Sequence, residues 1–399
     1  MNKNEKKFNL YYCLAQAFYW SGFCYAVTFA ATYLQGLGYT NSQLGVITAA
    51  GFIAGFLLGP VIASFIDRYE KLSSPAAAEA VIALQGIAVA ILLLKPEKGI
   101  SVSVFFAVSL ALSMVSNNLN TTLCVEIERR GIKMNYGFAR GIGSLGFVLV
   151  SSVSGLIIQK TSVNAVSVMA LIFIVLRLLI NRLIMRELKL LPDVRAESKN
   201  ASRAESSGLL EFLKKYPKFT RLLAGTTLVF VAHCAVTNFM ANVVKNVGGG
   251  TAEVGYLSAY MAVLEIPTML LFSKISKKFG ISKIMSFSYV VFVIKSAAIA
   301  VAGSIGALAG AFAFQMFSFA VFTPGIVEYV DRFIPEEDSA KGQTLGYGVS
   351  SLGSVICALA AGRMYDLCSV STVIIAAAIV CLVGSAIALT GIEKEKTHE

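Results

Sequence analysis

Residues 8–66 contain no Asp, Glu, Lys or Arg, and neither do residues 296–327 or 367–392. A helix needs about 20 mostly apolar residues to cross a bilayer, so each of these runs supplies one or two crossings. The rest of the chain repeats the pattern. It is 56% hydrophobic and 14% charged over 399 residues, where soluble domains carry about 25% charge, and its mean hydropathy is +0.72. A soluble enzyme is excluded on these grounds. Lys3, Lys6 and Lys7 ahead of the first run imitate a signal peptide, but the run is too long and too many others follow, so it reads as an uncleaved first span.

Gly, Pro and charge clusters divide the apolar sequence into twelve helical spans, at about 9–36, 42–67, 74–95, 99–127, 134–160, 163–185, 218–245, 251–273, 283–302, 306–331, 341–364 and 369–391. The expected fold is an all-α integral membrane protein with two pseudo-symmetric six-helix bundles, residues 1–185 and 218–399, joined by a cytoplasmic linker at 186–217. Lysine and arginine orient it. With the N-terminus inside, the loops holding Lys71, Arg129, Arg130, Lys133, Lys277, Lys278 and Arg332 are all cytoplasmic, as is the basic linker. Only Lys95, Lys98, Lys160, Lys245 and Arg363 remain outside. The positive-inside rule then places both termini in the cytoplasm, and it accounts for a net charge of +11 without any nucleic acid partner. Leu209, Leu210, Phe212 and Leu213 beside Lys214 and Lys215 read as a short interfacial helix. The seven cysteines form no C-x-x-C pair and read as small buried hydrophobes. With only two histidines, no metal cluster or other cofactor is expected.

The halves are related. An offset of 210 residues lays Cys24 on Cys234, Ala31 on Ala241, Gly38 on Gly248, Gly45 on Gly255 and Ala49 on Ala259, with Thr28 on Asn238 and Thr32 on Asn242. Ser144-Leu145-Gly146 has its counterpart in Ser351-Leu352-Gly353. Parallel repeats of this kind are used by transporters that rock one bundle against the other around a central site. Gly51, Gly55 and Gly59, the pair Gly137 and Gly141, and the pair Gly342 and Gly346 recur at four-residue spacing, as expected of small-residue helix seams in lipid.

Ala63-Ser64-Phe65-Ile66-Asp67-Arg68-Tyr69-Glu70-Lys71 resembles the loop between spans two and three of the major facilitator superfamily. Ala63 and Glu70 replace its usual glycines. The corresponding loop of the second half keeps Gly280, Lys277, Lys278 and Lys283 but lacks the aspartate. The resemblance implies a gating latch at Asp67, Arg68 and Lys71. Residues 135–144, Asn-Tyr-Gly-Phe-Ala-Arg-Gly-Ile-Gly-Ser, together with Leu264-Glu265-Ile266-Pro267 and Lys295, resemble the lactose/oligosaccharide, nucleoside and phenylpropionate proton symporters. From that branch, Arg140 with Glu126 is implied as a substrate-holding pair.

Ionisable groups inside a bilayer need a partner or a wet cavity. Glu265 and Lys295 fall at similar depth and are the expected proton-coupling pair. If substrate or a conformational change separates them, Glu265 loses its cation and can take a proton. Asn117, Asn118 and Thr121 in span four, His233 and Asn238 in span seven, and Tyr347 in span eleven are candidate substrate-binding residues, because so many polar groups cannot all face lipid. Arg177 and Arg182 in span six are expected to snorkel to the cytoplasm, and Glu79 and Glu328 to act near the inner ends as gate or latch charges. The reading is a monomeric, proton-coupled importer of a small polar solute (sugar, glycoside or nucleoside) in the plasma (inner) membrane. The alternatives are a proton-coupled exporter and a non-transporting sensor. Against export, span five has no proline between Gly146 and Gln159, and the Gly-Pro pair stands in span two as Gly59-Pro60. Against a sensor, the linker and the seven residues after Ile392 are expected to offer little room for a signalling domain.

Overall fold

The computed structural model describes residues 3–68, 74–191 and 208–395, and these form helices without a strand. Two compact units divide the chain, Met1–Ala201 with Gly250–Ala259, and Ser202–Gly249 with Tyr260–Glu399.

The first unit is built from α1 (Lys3–Val27), α2 (Ala30–Gly36), α3 (Asn41–Arg68), α4 (Ser74–Leu94), α5 (Ile100–Arg129), α6 (Tyr136–Lys160) and α7 (Ala165–Leu188). α1 lies against α6 and α7, α5 against α3 and α4, and α4 against α7. Its interior joins Tyr12, Leu123, Ile127, Ala139 and Ile184 from four of these helices. Gly51 and Gly55 bring α3 onto α5, where a Cβ at either position would meet Leu110, Met114 or a backbone carbonyl at about 3 Å or less. Gly137 and Gly141 behave otherwise. A Cβ at either would find nothing within 4 Å, so this pair is not the packing seam that its spacing suggested.

The second unit contains α8 (Leu209–Lys215), α9 (Pro217–Thr237), α10 (Met240–Asn246), α11 (Thr251–Phe279), α12 (Ile281–Ala300), α13 (Ile305–Ala313), α14 (Phe319–Phe333), α15 (Glu336–Leu367) and α16 (Val370–Gly391), the opening turns of α11 belonging to the first unit. α9 packs on α15 and α16, and α12 on α14 and α16. α8 is the expected amphipathic helix. Phe212 is fully buried with its ring 4.9 Å from that of Tyr216, the two planes tilted, while Leu209 and Leu210 are exposed. Beside it, Lys215 donates to Asp338 at 2.8 Å, and this contact raises the affinity of the ammonium for its proton.

Three expected spans are interrupted. The first breaks between α1 and α2 at Thr28 and Phe29, the seventh between α9 and α10 at Asn238 and Phe239, the same positions under the 210-residue offset. Phe29 and Phe239 are both completely buried at their breaks. The likeness extends to the end of the short helices, where Gly38 and Gly248 take φ of +86° and +83°, a conformation open to glycine and costly for residues with a Cβ. The tenth span breaks between α13 and α14 at a 3₁₀ turn, Phe314–Met316, and the Ser288 hydroxyl there donates to the Ser318 carbonyl at 3.0 Å.

Eleven segments among the described residues have the length and hydropathy to cross a membrane. α1 with α2 completes the twelve. It is more polar because it carries Asn9, Tyr12, Gln16, Tyr19 and Trp20. Large apolar side chains such as Leu57, Leu149, Leu270 and Val301 stand exposed over the outer surface, a coat suited to acyl chains and not to water. Six cysteines are buried, and Cys368 is exposed.

Candidate functional site

In the second unit, four polar side chains join into one hydrogen-bonded chain. Glu265 comes from α11, Lys295 from α12 and His233 from α9. Gln315 comes from the 3₁₀ turn that interrupts the tenth span. The Gln315 amide nitrogen donates to Glu265 Oε1 at 2.8 Å, and its carbonyl oxygen accepts from Lys295 Nζ at 2.5 Å. Lys295 Nζ also lies 3.2 Å from His233 Nδ1. Lys295 and Gln315 are each 3% exposed. Rings surround the inner end of the chain, with Phe319 stacked on His233 at 5.4 Å and Phe230 and Phe292 edge-on. The expected Glu265–Lys295 pair is therefore not a direct contact. An amide stands between the charges, with its donor aimed at the carboxylate and its acceptor at the ammonium. Just beyond His233, Thr237 donates to the His233 carbonyl, and the Asn238 amide nitrogen is buried without an acceptor.

In the first unit, polarity centres on aromatic rings of α1. The Arg140 guanidinium lies 3.8 Å from the Trp20 ring centroid and donates to Ser144 at 2.8 Å. Trp20 donates to Gln16, and Gln16 to Tyr12. Tyr19 meets Trp20 edge-on at 5.2 Å and carries Arg177 over its own face at 4.7 Å. Arg177 is 4% exposed, donates to the Ser116 carbonyl at 3.0 Å and has a buried Nε without a partner. The expectation that it reaches the membrane surface fails, because its face of α7 points into the interior against α1 and α5. Arg182, five residues on, is the exposed one, and pairs with Glu79 at 2.7 Å.

The family model described as MFS_1 like family matches residues 11–376. The chain belongs to that family. Among curated proteins, this MFS_1 like chain is 24% identical over 274 residues to the "Probable 3-phenylpropionic acid transporter" of Escherichia coli (strain K12), covering 66% of this chain and 67% of the relative. Among solved structures it superposes on the nucleoside transporter NupG with a TM-score of 0.79 at 15% identity, covering 97% of this chain and 99% of NupG. An auto inhibited POT family peptide transporter gives a TM-score of 0.73 at 11% identity, over 97% of both chains. The protein is a multi-pass membrane transporter of the major facilitator type, not an enzyme.

The remaining expected positions of this MFS_1 like transporter fall as follows. Glu126 faces Arg130 one turn along α5, at 3.5 Å, and not Arg140; Arg130 also donates to the Leu188 carbonyl at 2.7 Å. In span four, Thr121 donates to the Asn117 carbonyl, Asn118 stands exposed beside Gly59, and the deeply buried amide of the run belongs to Asn120, whose nitrogen has no acceptor. Tyr347 is half-exposed, while Gln343 donates to Asp331 and the Val327 carbonyl. Glu328 accepts a hydrogen bond from Ser276. Asp67 and Arg68 close α3, and their side chains, with Lys71, lie outside the described residues. Sequence reasoning missed Gln315, Gln16 and Tyr19. For Gln315 a signal existed, since it is the only amide side chain in the charge-free run of residues 296–327.

Proposed function

We propose that this carrier takes up a small polar organic solute together with protons, by alternating access, as a monomer in the plasma (inner) membrane with both termini in the cytoplasm. The observation that carries the reading is the chain Glu265–Gln315–Lys295–His233, made by membrane-spanning helices and one break in a span. An intramembrane carboxylate held near a cation by one exchangeable amide can gain and lose a proton as that amide turns. A static structural tie would be better served by a direct ion pair, which gains more Coulomb energy in a low dielectric than one relayed over two hydrogen bonds. Arg140 over Trp20, with Gln16 and Ser144 beside them, offers donors and a ring face to a solute. Asn117, Asn118, Thr121, His233, Asn238 and Tyr347 are further proposed contacts, and Glu126 with Arg130 a polar pair behind them. The relative's name indicates a carboxylic acid, and that of the structural neighbour a nucleoside, so the test panel contains both, with sugars and glycosides.

The test is reconstitution into proteoliposomes with an imposed pH gradient, alkaline inside. The wild-type protein accumulates at least one solute of the panel above equilibrium, and collapsing the gradient abolishes accumulation. Glu265→Gln still exchanges labelled for unlabelled solute but no longer accumulates it. Gradient-driven accumulation that survives in Glu265→Gln contradicts the assignment. Accumulation only under the opposite gradient, acidic inside, where solute enters as protons leave, makes the protein a proton-exchanging exporter.

A further inference from the structure

The charges of the second unit restrict what can travel with the proton. Lys295 is buried in α12, and its ammonium meets the Gln315 carbonyl oxygen at 2.5 Å, His233 Nδ1 at 3.2 Å and the Phe292 ring at 5.6 Å, with no carboxylate among the described residues in direct contact. Its counter-charge is Glu265, one amide away. Among the described residues, the other titratable groups beside the ammonium are His233 and Cys234 on α9 and Cys381 on α16. When Glu265 takes a proton, the ammonium loses the carboxylate that faces it through Gln315, and a buried charge left without its partner is strongly unfavourable. A neutral sugar or nucleoside does not repair that deficit. An anion does. The first unit carries the same signature independently, since no carboxylate among the described residues reaches Arg177, and its Nε has no acceptor. Asn238 and Asn120 add buried donors that lack acceptors.

We propose that the transported solute is an organic anion, a carboxylate, whose negative charge replaces that of Glu265 when Glu265 is protonated, with Gln315 as the positioning residue that links the two events. This inference rests on the proton-coupled reading above and narrows its substrate class. The balance is simple. One proton binds a Glu265 carboxylate oxygen, one carboxylate arrives, and a monoanion therefore crosses without net charge.

The test pairs each acid with its neutral amide: benzoate with benzamide, phenylacetate with phenylacetamide, lactate with lactamide. Uptake is measured in proteoliposomes at clamped zero potential, after subtraction of protein-free vesicles, beside nucleosides and sugars. At least one acid is taken up about tenfold faster than its amide, and imposing a membrane potential leaves its rate unchanged. Lys295→Met loses that preference. Gln315→Leu keeps acid exchange but makes it independent of pH. Because a variant can fail to fold, thermal stability of the wild-type protein is read as well, and the transported acid stabilises it where its amide does not. Uptake of nucleosides or sugars with no acid transported overturns the anion inference and leaves the carrier reading standing. Absence of flux for every solute overturns both.

Discussion

A guanidinium within a membrane-spanning helix costs about 2.5–3.5 kcal/mol on insertion scales. Around Arg177 the offsets are the Tyr19 face at 4.7 Å and one hydrogen bond to the Ser116 carbonyl, worth up to about 2 kcal/mol for a desolvated cation–π contact and roughly 1.5–3 kcal/mol for a charged donor. The terms nearly cancel, so Arg177 is no net prop for the fold. Arg177→Met is expected to melt at the same temperature as the wild type or higher, yet to take up solute at least about tenfold more slowly; a fall in melting temperature with unchanged uptake would make Arg177 structural. Gln315→Glu sets a carboxylate directly against Lys295 and closes the gap that Glu265 spans. It is expected to abolish accumulation while leaving the melting temperature near that of the wild type, measured by scanning fluorimetry beside uptake. Single residues were the least legible part of the sequence. Glu265, Lys295 and His233 were visible because ionisable groups stand out in apolar runs, and the structure brings the three together. Their connector was not, because an amide carries no charge and its partners lie on three other segments. Arg177 was misplaced because hydropathy gives the depth of a residue but not the face of the helix it occupies.

Between helices, the closest approach in the second unit is the seam of α9 on α16. A Cβ at Gly225 would run into the Ala388 nitrogen and the Gly384 carbonyl oxygen. Both are backbone atoms and neither can swing away. Gly225→Ala is expected to cost about 1–3 kcal/mol through overpacking, seen as a lower melting temperature. Gly141→Ala meets open space and is expected to be neutral or to stabilise by up to about 1 kcal/mol, because alanine restricts the unfolded chain. Equal melting temperatures for the two variants would contradict the packing described here. Span number, and limits to within several residues, were readable from apolar length and from the Gly, Pro and charge clusters that divide it, since backbone polar groups in hydrocarbon must close their hydrogen bonds within each helix. The interruptions at Phe29, Phe239 and Gln315 were not, since hydropathy does not register a change of φ and ψ. The 210-residue offset carried the trace of two of them, in Thr28 with Asn238 and Gly38 with Gly248.

Across the whole chain, each of the two units buries polar groups and exposes large apolar side chains, and the two units differ in their chemistry. The first carries cations laid on aromatic rings, Arg140 on Trp20 and Arg177 on Tyr19. The second carries the carboxylate–amide–ammonium–imidazole chain. In the proposed carrier the proton is handled in the second unit, and the solute contacts proposed above come from both. Trp20 is the only tryptophan of the chain, so its emission reports on the Arg140 site alone, and a transported solute is expected to change its intensity in detergent-purified protein. An unchanged emission on saturation would remove Arg140 from the site. The coupling itself is tested most directly in proteoliposomes that enclose a pH-sensitive dye, at zero membrane potential and equal starting pH. Adding the transported solute outside acidifies the lumen of wild-type vesicles as label enters, and in Glu265→Gln vesicles label equilibrates with no acidification. Solute entry in wild-type vesicles without any fall in lumen pH, or an equal fall in both, would contradict proton coupling through Glu265.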